Sequence, residues 1–310
     1  GAVKLGAIVG PLFEAFMEKA VTDRLNDSEA QAVVTTPDLL PRIPVADIDT
    51  LEHVFVVGEH EEGDKIVDFS EVFEDASEEL EIEWVDREDG LILHYTSGST
   101  GAPKGVLHVH NVMVQQFISA KYVLDIKEDD VYWCTADPGW VTGTSYGIFG
   151  PWLNRATNVV VGGRFSPEAW YGALEDLKVS IWYSAPTAFR MLMGAGDEEV
   201  KKYDLSNLRH MLSVGEPLNP EVIKWADKVF DLRIHDTWWM TETGAHMIVN
   251  FPAMDIKAGA MGKPLPGIEA AIVDDNGNEL PPMRMGSLAM KAPWPAIMRE
   301  IWGNPEKYKS

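Results

Sequence analysis

With 310 residues, 45% of them hydrophobic, and a net charge of −23, the chain can bury a sizeable core, and its acidity excludes nucleic acid and anionic membrane surfaces as natural partners. Its single cysteine, Cys134, excludes an internal disulfide and fits a reducing compartment, and no apolar run approaches the roughly 20 residues that span a bilayer. With no signal peptide in view, the expected compartment is the cytoplasm.

The chain opens without a methionine, as though inside an amphipathic element, before the apolar run Ala7-Ile8-Val9; a preceding portion is expected. Met17 to Asn26 reads as a helix, and Val33 to Thr36 and Val54 to Val57 read as short buried strands. Between Glu59 and Asp89 stand fifteen acids against two bases, more than half of the excess negative charge, which reads as a solvated connecting region. The apolar run Leu91-Ile92-Leu93-His94 then leads into a loop of a different character.

That loop, Tyr95-Thr96-Ser97-Gly98-Ser99-Thr100-Gly101-Ala102-Pro103-Lys104-Gly105, is rich in glycine and hydroxyls and carries one lysine. Glycines let backbone N–H groups approach oxygen closely, the hydroxyls add donors, and Lys104 supplies a compact positive charge, so the stretch suits phosphate. It is not the P-loop of kinases and GTPases. That loop places lysine directly after the second glycine and a hydroxyl residue after the lysine, whereas here Pro103 stands five positions beyond Gly98 and Gly105 follows Lys104.

Beyond it, Asn111 is placed to cap a helix carrying Val114, Phe117 and Ile118 on its buried face, and Val131 to Cys134 returns as a strand. The unit repeats with strand Asn158 to Val161, a helix opened by Ser166-Pro167-Glu168 with Trp170, Leu174 and Leu177 as its buried stripe, and strand Val179 to Ser184. Asn219-Pro220-Glu221 opens another helix, and Arg233-Ile234-His235 begins the next strand. From Ile268 the pattern becomes hairpin-like, with a turn at Asp275-Asn276-Gly277-Asn278 and a returning strand from Ser287. Alternating helix and strand predicts α/β layering.

From Thr96 to Gly105 the chain resembles the phosphate-loop signature of the adenylate-forming enzymes at every fixed place, and Asp236-Thr237-Trp238-Trp239-Met240-Thr241-Glu242-Thr243-Gly244 resembles the second signature of the acyl-CoA synthetase branch. Gly139 to Gly143, Ser213 to Pro217 and the Trp238-Trp239 pair are similar to the acetate-activating, AMP-forming members of that branch. The resemblance implies layered α/β subdomains of the family's large domain: residues 1–120 ending with the phosphate loop, 121–250 with the acyl pocket and adenine segments, and 251–310 as part of a small β-barrel. It also implies that the mobile C-terminal domain of the same enzyme is absent, so that this chain alone is not expected to turn over.

The reaction implied is activation of acetate by ATP to acetyl-adenylate, then displacement of AMP by coenzyme A. Acetate is already ionised at neutral pH, so the task is electrostatic rather than one of general base catalysis. The resemblance gives Thr96, Ser97, Gly98, Ser99, Thr100, Gly101 and Lys104 to the outer phosphates, Thr241 to the α-phosphate and Glu242 to Mg2+. Gly215, Glu216 and Pro217 with Asp236, Thr237 and Trp238 would enclose adenine, and Trp140, Val141, Thr142, Val214 and Trp239 would wall the acyl pocket. In the family a large ring at the position of Trp239 closes the pocket after two or three carbons. Met240 stands where such enzymes commonly place glutamine, which puts nucleotide contacts from that side chain in doubt. His108 and His110 share a strand face but have no third ligand, and His246 has no assigned role. The alternatives are a propionyl- or medium-chain acyl-CoA synthetase and, in a different class, a nucleotide-binding fragment without turnover.

Overall fold

Short apolar runs and capped helices alternate along the chain, and they assemble as layered α/β structure. A computed structural model describes residues 1–96 and 103–309. The chain divides into two compact units, Gly1–His110 with Met298–Ser310, and Asn111–Ile297.

In the first unit, helix α1 (Glu18–Asp27) lays Val21 and Leu25 on a small parallel sheet of β1 (Ala32–Thr35), β2 (His53–Val56) and β3 (Ile66–Asp68), with Ile43, Ile48, Leu51, Val54 and Val56 completing the core. The acidic segment is not merely a connection. It supplies β3 and helix α2 (Phe69–Asp75), because Asp68 caps that helix by accepting from the N–H groups of Ser70 at 2.7 Å and Glu71 at 3.2 Å. Its remaining side chains are largely exposed. A second sheet pairs β4 (Gly90–Thr96) antiparallel with β5 (Lys104–Val109), and the short strand Glu300–Ile301 adds antiparallel to β5. Tyr95 anchors this sheet to α1, its hydroxyl donating to Asp27 Oδ2 at 2.7 Å.

The second unit is built on seven strands in the order β12-β11-β10-β9-β8-β6-β7: β6 (Val131–Cys134), β7 (Thr157–Val159), β8 (Ile181–Ser184), β9 (His210–Val214), β10 (Ile234–Trp238), β11 (Ile248–Val249) and β12 (Lys263–Pro264). The five from β6 to β10 are parallel, while β11 and β12 run antiparallel to their neighbours. β8 and β9 are buried at every position, as strands covered on both faces must be. Cys134 lies at the end of β6, buried, and burial pushes its thiol up to about 12.

Among the helices, α3 (Val112–Tyr122) reverses the expected face. Val114, Phe117 and Ile118 are exposed, whereas Gln115, Gln116 and Ser119 are buried. The reason is polar: Gln115 Nε2 donates to the carbonyl of His246 and Gln116 Nε2 to that of Gly244, each at 3.0 Å, and two backbone acceptors satisfied in this way outweigh the hydrophobic periodicity. Asn111 is already helical in its backbone, and its side chain does not cap the helix.

After α3 come the short helix α4 (Val141–Thr144), a π-helical turn Ser145–Phe149 and α5 (Gly150–Leu153). Helix α6 (Pro167–Asp176) starts at Ser166, whose hydroxyl accepts from Ala169 N at 3.1 Å. It buries Tyr171 and Leu174. Leu177 falls beyond its last turn and is exposed, and Trp170 is only partly buried. Helices α7 (Pro186–Ala195), α8 (Asp197–Val200) and α9 (Pro220–Phe230) follow; α9 is capped by Asn219 and buries Val222, Ile223, Trp225 and Ala226. Where part of a barrel was expected, the chain forms an antiparallel pair, β13 (Ala270–Val273) with β14 (Ser287–Met290), and no closed barrel forms among the described residues.

Buried histidines make this fold acid-sensitive. His210 on β9 and His235 on β10 face each other at 4.7 Å, and burial lowers both, His210 to about 4. A lowered imidazole stabilises the fold fully above 6.5, its unfolded value, and the contribution fades as pH falls from 6.5 toward 4. At pH 5 His210 alone should cost about 2 kcal/mol relative to pH 7.5. Denaturant titrations at the two pH values should show that loss, and His210→Gln should reduce the difference. An equal pH dependence in the variant would remove His210 as its source.

Candidate active site

Two neighbouring strands of the large sheet end side by side and carry the segments singled out for adenine. Ser213 pairs with Asp236 and Val214 with Thr237 in parallel register. Ser213 Oγ donates to Asp236 Oδ1 at 2.7 Å, yet burial holds that carboxyl above its ordinary value. Thr237 donates to the Ser213 carbonyl at 2.8 Å. Gly215 follows β9 with φ +92°, a left-handed turn that a side chain would strain, and it releases Glu216 and Pro217 to the surface. There the Glu216 carboxylate accepts from Thr187 Oγ1 at 2.6 Å and pairs with Arg190 at 2.9 Å, and these two partners hold it below the usual carboxylate range.

Beyond β10, Trp239 is buried and Met240 exposed, and the chain folds into a tight turn. Thr243 Oγ1 accepts from Met240 N at 2.9 Å, Gly244 N donates to the Met240 carbonyl at 3.2 Å, and Gly244 takes φ +74°. Trp294 Nε1 donates to the Thr243 carbonyl at 3.0 Å and secures the turn. Thr241 and Glu242 lie half-buried within it.

The other expected pocket wall is a knot between β6 and α4. Trp140 N donates to the Asp137 carbonyl at 2.9 Å, Gly139 N to Asp137 Oδ1 at 2.6 Å, and Thr144 Oγ1 to the Pro138 carbonyl at 2.6 Å. Trp140 is exposed, and Val141 and Thr142 begin α4, half-buried. The π-helical turn that follows widens the helix by one residue, a device common at functional sites. It carries Tyr146, whose ring stands edge-on to Trp239 at 5.1 Å. Trp239 and the segment bearing Val141 and Thr142 are thereby linked.

In the first unit, Thr96 ends β4 and Lys104 begins β5 directly opposite it. Ser97, Gly98, Ser99, Thr100 and Gly101 lie outside the described residues. Among the described residues no group of three or more His, Cys, Asp or Glu is arranged around a common metal position. Glu242 is a single half-buried carboxylate, a donor that suits an ion held by one protein oxygen together with phosphate oxygens and water.

Sequence reasoning did not find Tyr146, Tyr183, Gln115 or Gln116, and it gave His246 no role. The adjacent glutamines within an otherwise apolar helix were the available signal, since buried polar side chains need partners. Tyr146 and Tyr183 give no sequence signal distinct from core aromatics.

A parallel sheet with its candidate loops at the carboxyl ends of the strands is a common setting for nucleotide chemistry. Residues 1–302 match the model of the AMP-binding enzyme family, and the chain belongs to that family. Within it, the chain is 69% identical over 311 residues to the acetyl-coenzyme A synthetase of Bacillus subtilis, covering all of this chain and 54% of that one. It is 37% identical to the acetyl-coenzyme A synthetase of Pyrobaculum aerophilum over 99% of this chain and 50% of the relative. The chain thus spans about half the length of the curated relatives it matches. The crystal structure of a Brucella canis acyl-CoA synthetase is similar with a TM-score of 0.87 and 33% identity, over 94% of this chain and 53% of that one. An anthranilate CoA ligase, AuaEII, in complex with anthranoyl-AMP gives 0.90 at 28% identity, over 99% and 58%. No helix among the described residues is long and apolar enough to cross a membrane.

Gly143 tests the α4 knot. A Cβ there would overlap the Asp137 carbonyl, which is backbone and cannot swing away. Gly143→Ala should lower stability by about 1–3 kcal/mol, the cost of overpacking, measured by denaturant unfolding. A stability equal to the parent's would mean that the Asp137–Thr144 turn is not fixed.

Proposed function

We propose that the chain is part of an AMP-forming acetyl-CoA synthetase of the cytoplasm, which activates acetate with ATP to acetyl-adenylate and transfers the acetyl group to coenzyme A. The names of its relatives support this reading. The observation that carries it is Trp239, a large buried ring placed immediately before the Met240–Gly244 turn. An acid activated beside that turn meets an indole where a longer acyl chain would need space.

The roles follow from chemistry. An acetate oxygen attacks the α-phosphate of ATP and pyrophosphate departs, so the site must hold like charges together. In the first unit, Thr96 and Lys104, with Ser97, Gly98, Ser99, Thr100 and Gly101, are assigned to the outer phosphates. In the second unit, Thr241 donates to the α-phosphate, and Glu242 would hold Mg2+, which neutralises phosphate charge when bound. The β9 and β10 ends, Gly215 to Pro217 and Asp236 to Trp238, flank adenine. The hydrogen bonds of Glu216 to Thr187 and Arg190 fix that side chain, so its segment offers a preset wall rather than a mobile one. Met240, exposed beside the turn, lines the nucleotide with apolar surface. Val214, buried opposite Thr237, and Trp140, Val141 and Thr142 complete the acyl pocket, and Val214 limits room at the second carbon, which favours acetate over propionate.

Replacing Trp239 with glycine in the full-length enzyme should shift preference toward longer acids. At about 0.8 kcal/mol per buried methylene, the four further carbons of hexanoate gain roughly 3 kcal/mol once room exists. The ratio of kcat/KM for hexanoate to that for acetate measures this, and an unchanged ratio removes Trp239 from the pocket.

Glu242→Gln keeps the shape of the turn and removes the charge that a hard divalent ion prefers. Acetate-dependent pyrophosphate release should fall sharply and require more magnesium, with little change in stability. The same rate and magnesium dependence as the parent would show that Glu242 is not the ligand.

A further inference from the structure

Trp239 owes its orientation to its neighbours. Its indole N–H is buried beside the Tyr183 hydroxyl without a hydrogen bond of ordinary geometry, so the ring is held chiefly by the rings packed around it. Tyr146 meets it edge-on at 5.1 Å and 80°, and His246 at 6.0 Å and 76°. Those two rings are stacked on each other, 3.9 Å apart and 9° from parallel, and both are fully buried.

Proton accounting shows why the stack has one arrangement. The Ser119 hydroxyl donates to the Gln115 carbonyl at 2.6 Å, so it accepts from Tyr146 at 2.7 Å, and the Tyr146 oxygen accepts from the backbone N–H of His246 at 2.8 Å. On the other side, the Thr237 hydroxyl is spent on the Ser213 carbonyl, so it accepts from Tyr183 at 2.7 Å. The Tyr183 oxygen then accepts from His246, 3.0 Å away, which places a proton on Nε2. Burial keeps the ring neutral, pushing that imidazole well below its ordinary value. Nδ1 has no hydrogen-bond partner among the described residues. Each hydroxyl in the chain has one proton and one recipient, and such a directed network resists rearrangement.

We propose that Tyr146 and His246 are positioning residues that hold the Trp239 ring as the end wall of the acyl pocket and thereby set the length of acid admitted. This rests on the reading of Trp239 as that wall. The two residues do not touch the reacting atoms; they act through the indole. Tyr146 ties the stack to α3 through Ser119, and His246 ties it to β8 through Tyr183, so the wall is braced from a helix and a strand at once.

The test uses the full-length enzyme with Tyr146→Phe, which removes one oxygen, and His246→Gln, which offers Tyr183 an amide donor but no ring. Trp239→Gly serves as the control for the pocket. kcat/KM is measured for acetate, propionate and butyrate, with KM for ATP and the thermal midpoint alongside. Both bracing variants should raise the propionate-to-acetate ratio by roughly fourfold, the factor for one further buried methylene, with KM for ATP unchanged. A merely structural role would lower kcat/KM for every acid in proportion. If Trp239→Gly raises the ratio and neither bracing variant does, the inference falls and the pocket reading stands. If Trp239→Gly leaves the ratio unchanged, both fall.

Discussion

A parallel sheet covered on both faces must bury the side chains of its central strands, and any polar group among them must be paired inside the sheet. At the carboxyl ends of its strands the second unit answers this constraint with a line of hydroxyls across β8, β9 and β10: Tyr183 to Thr237, then Thr237 to the carbonyl of Ser213, with the Ser213 hydroxyl on Asp236. Register makes the line possible. Ser184 pairs with Ser213 and Ser213 with Asp236, so the polar positions of three strands arrive at one level. That level is the carboxyl end of the strands, where the chain leaves the sheet for Gly215 and the Met240–Gly244 turn.

The loops therefore begin from fixed points. The turn after β10 is closed by Thr243 on Met240, tied to Trp294, and held from α3 by Gln116 on the Gly244 carbonyl. Helix α3 contributes side-chain amides where packing alone would have favoured leucine, and it leaves Val114, Phe117 and Ile118 outside as a result. This is a local exchange of apolar burial for polar order. Buried amides that meet backbone carbonyls cost little in stability and specify one placement.

Much of this was legible in the sequence. Ser166-Pro167-Glu168 and Asn219-Pro220-Glu221 announced two helix starts, and both caps form. The apolar runs at Val131, Ile181 and Ile234 are strands because nothing but burial on both sides accommodates them, while the strand from His210 was not read from the sequence. The candidate site was legible only as motifs, through the resemblance in which Gly215, Asp236 and Glu242 take part. Its supports were not. The π-helical turn at Ser145–Phe149 has no compositional mark, and Tyr146 and Tyr183 acquire meaning only when a strand, a helix and a loop converge on their hydroxyls. Periodicity misplaced the buried face of α3 because it counts apolar residues and is blind to acceptors supplied from residues 244–246. It likewise extended α6 to Leu177, one residue past its final turn.

Cys134 carries a practical consequence. It is the only thiol in the sequence, sits at the end of β6 with its sulfur 3.7 Å from where a side chain on Gly147 would begin, and is held protonated by burial. A thiol in that state is silent toward alkylating reagents, since the thiolate is the reactive form. Each labelling event thus reports an opening around β6, and the rate of modification is a stopwatch for that part of the sheet that needs no engineered probe.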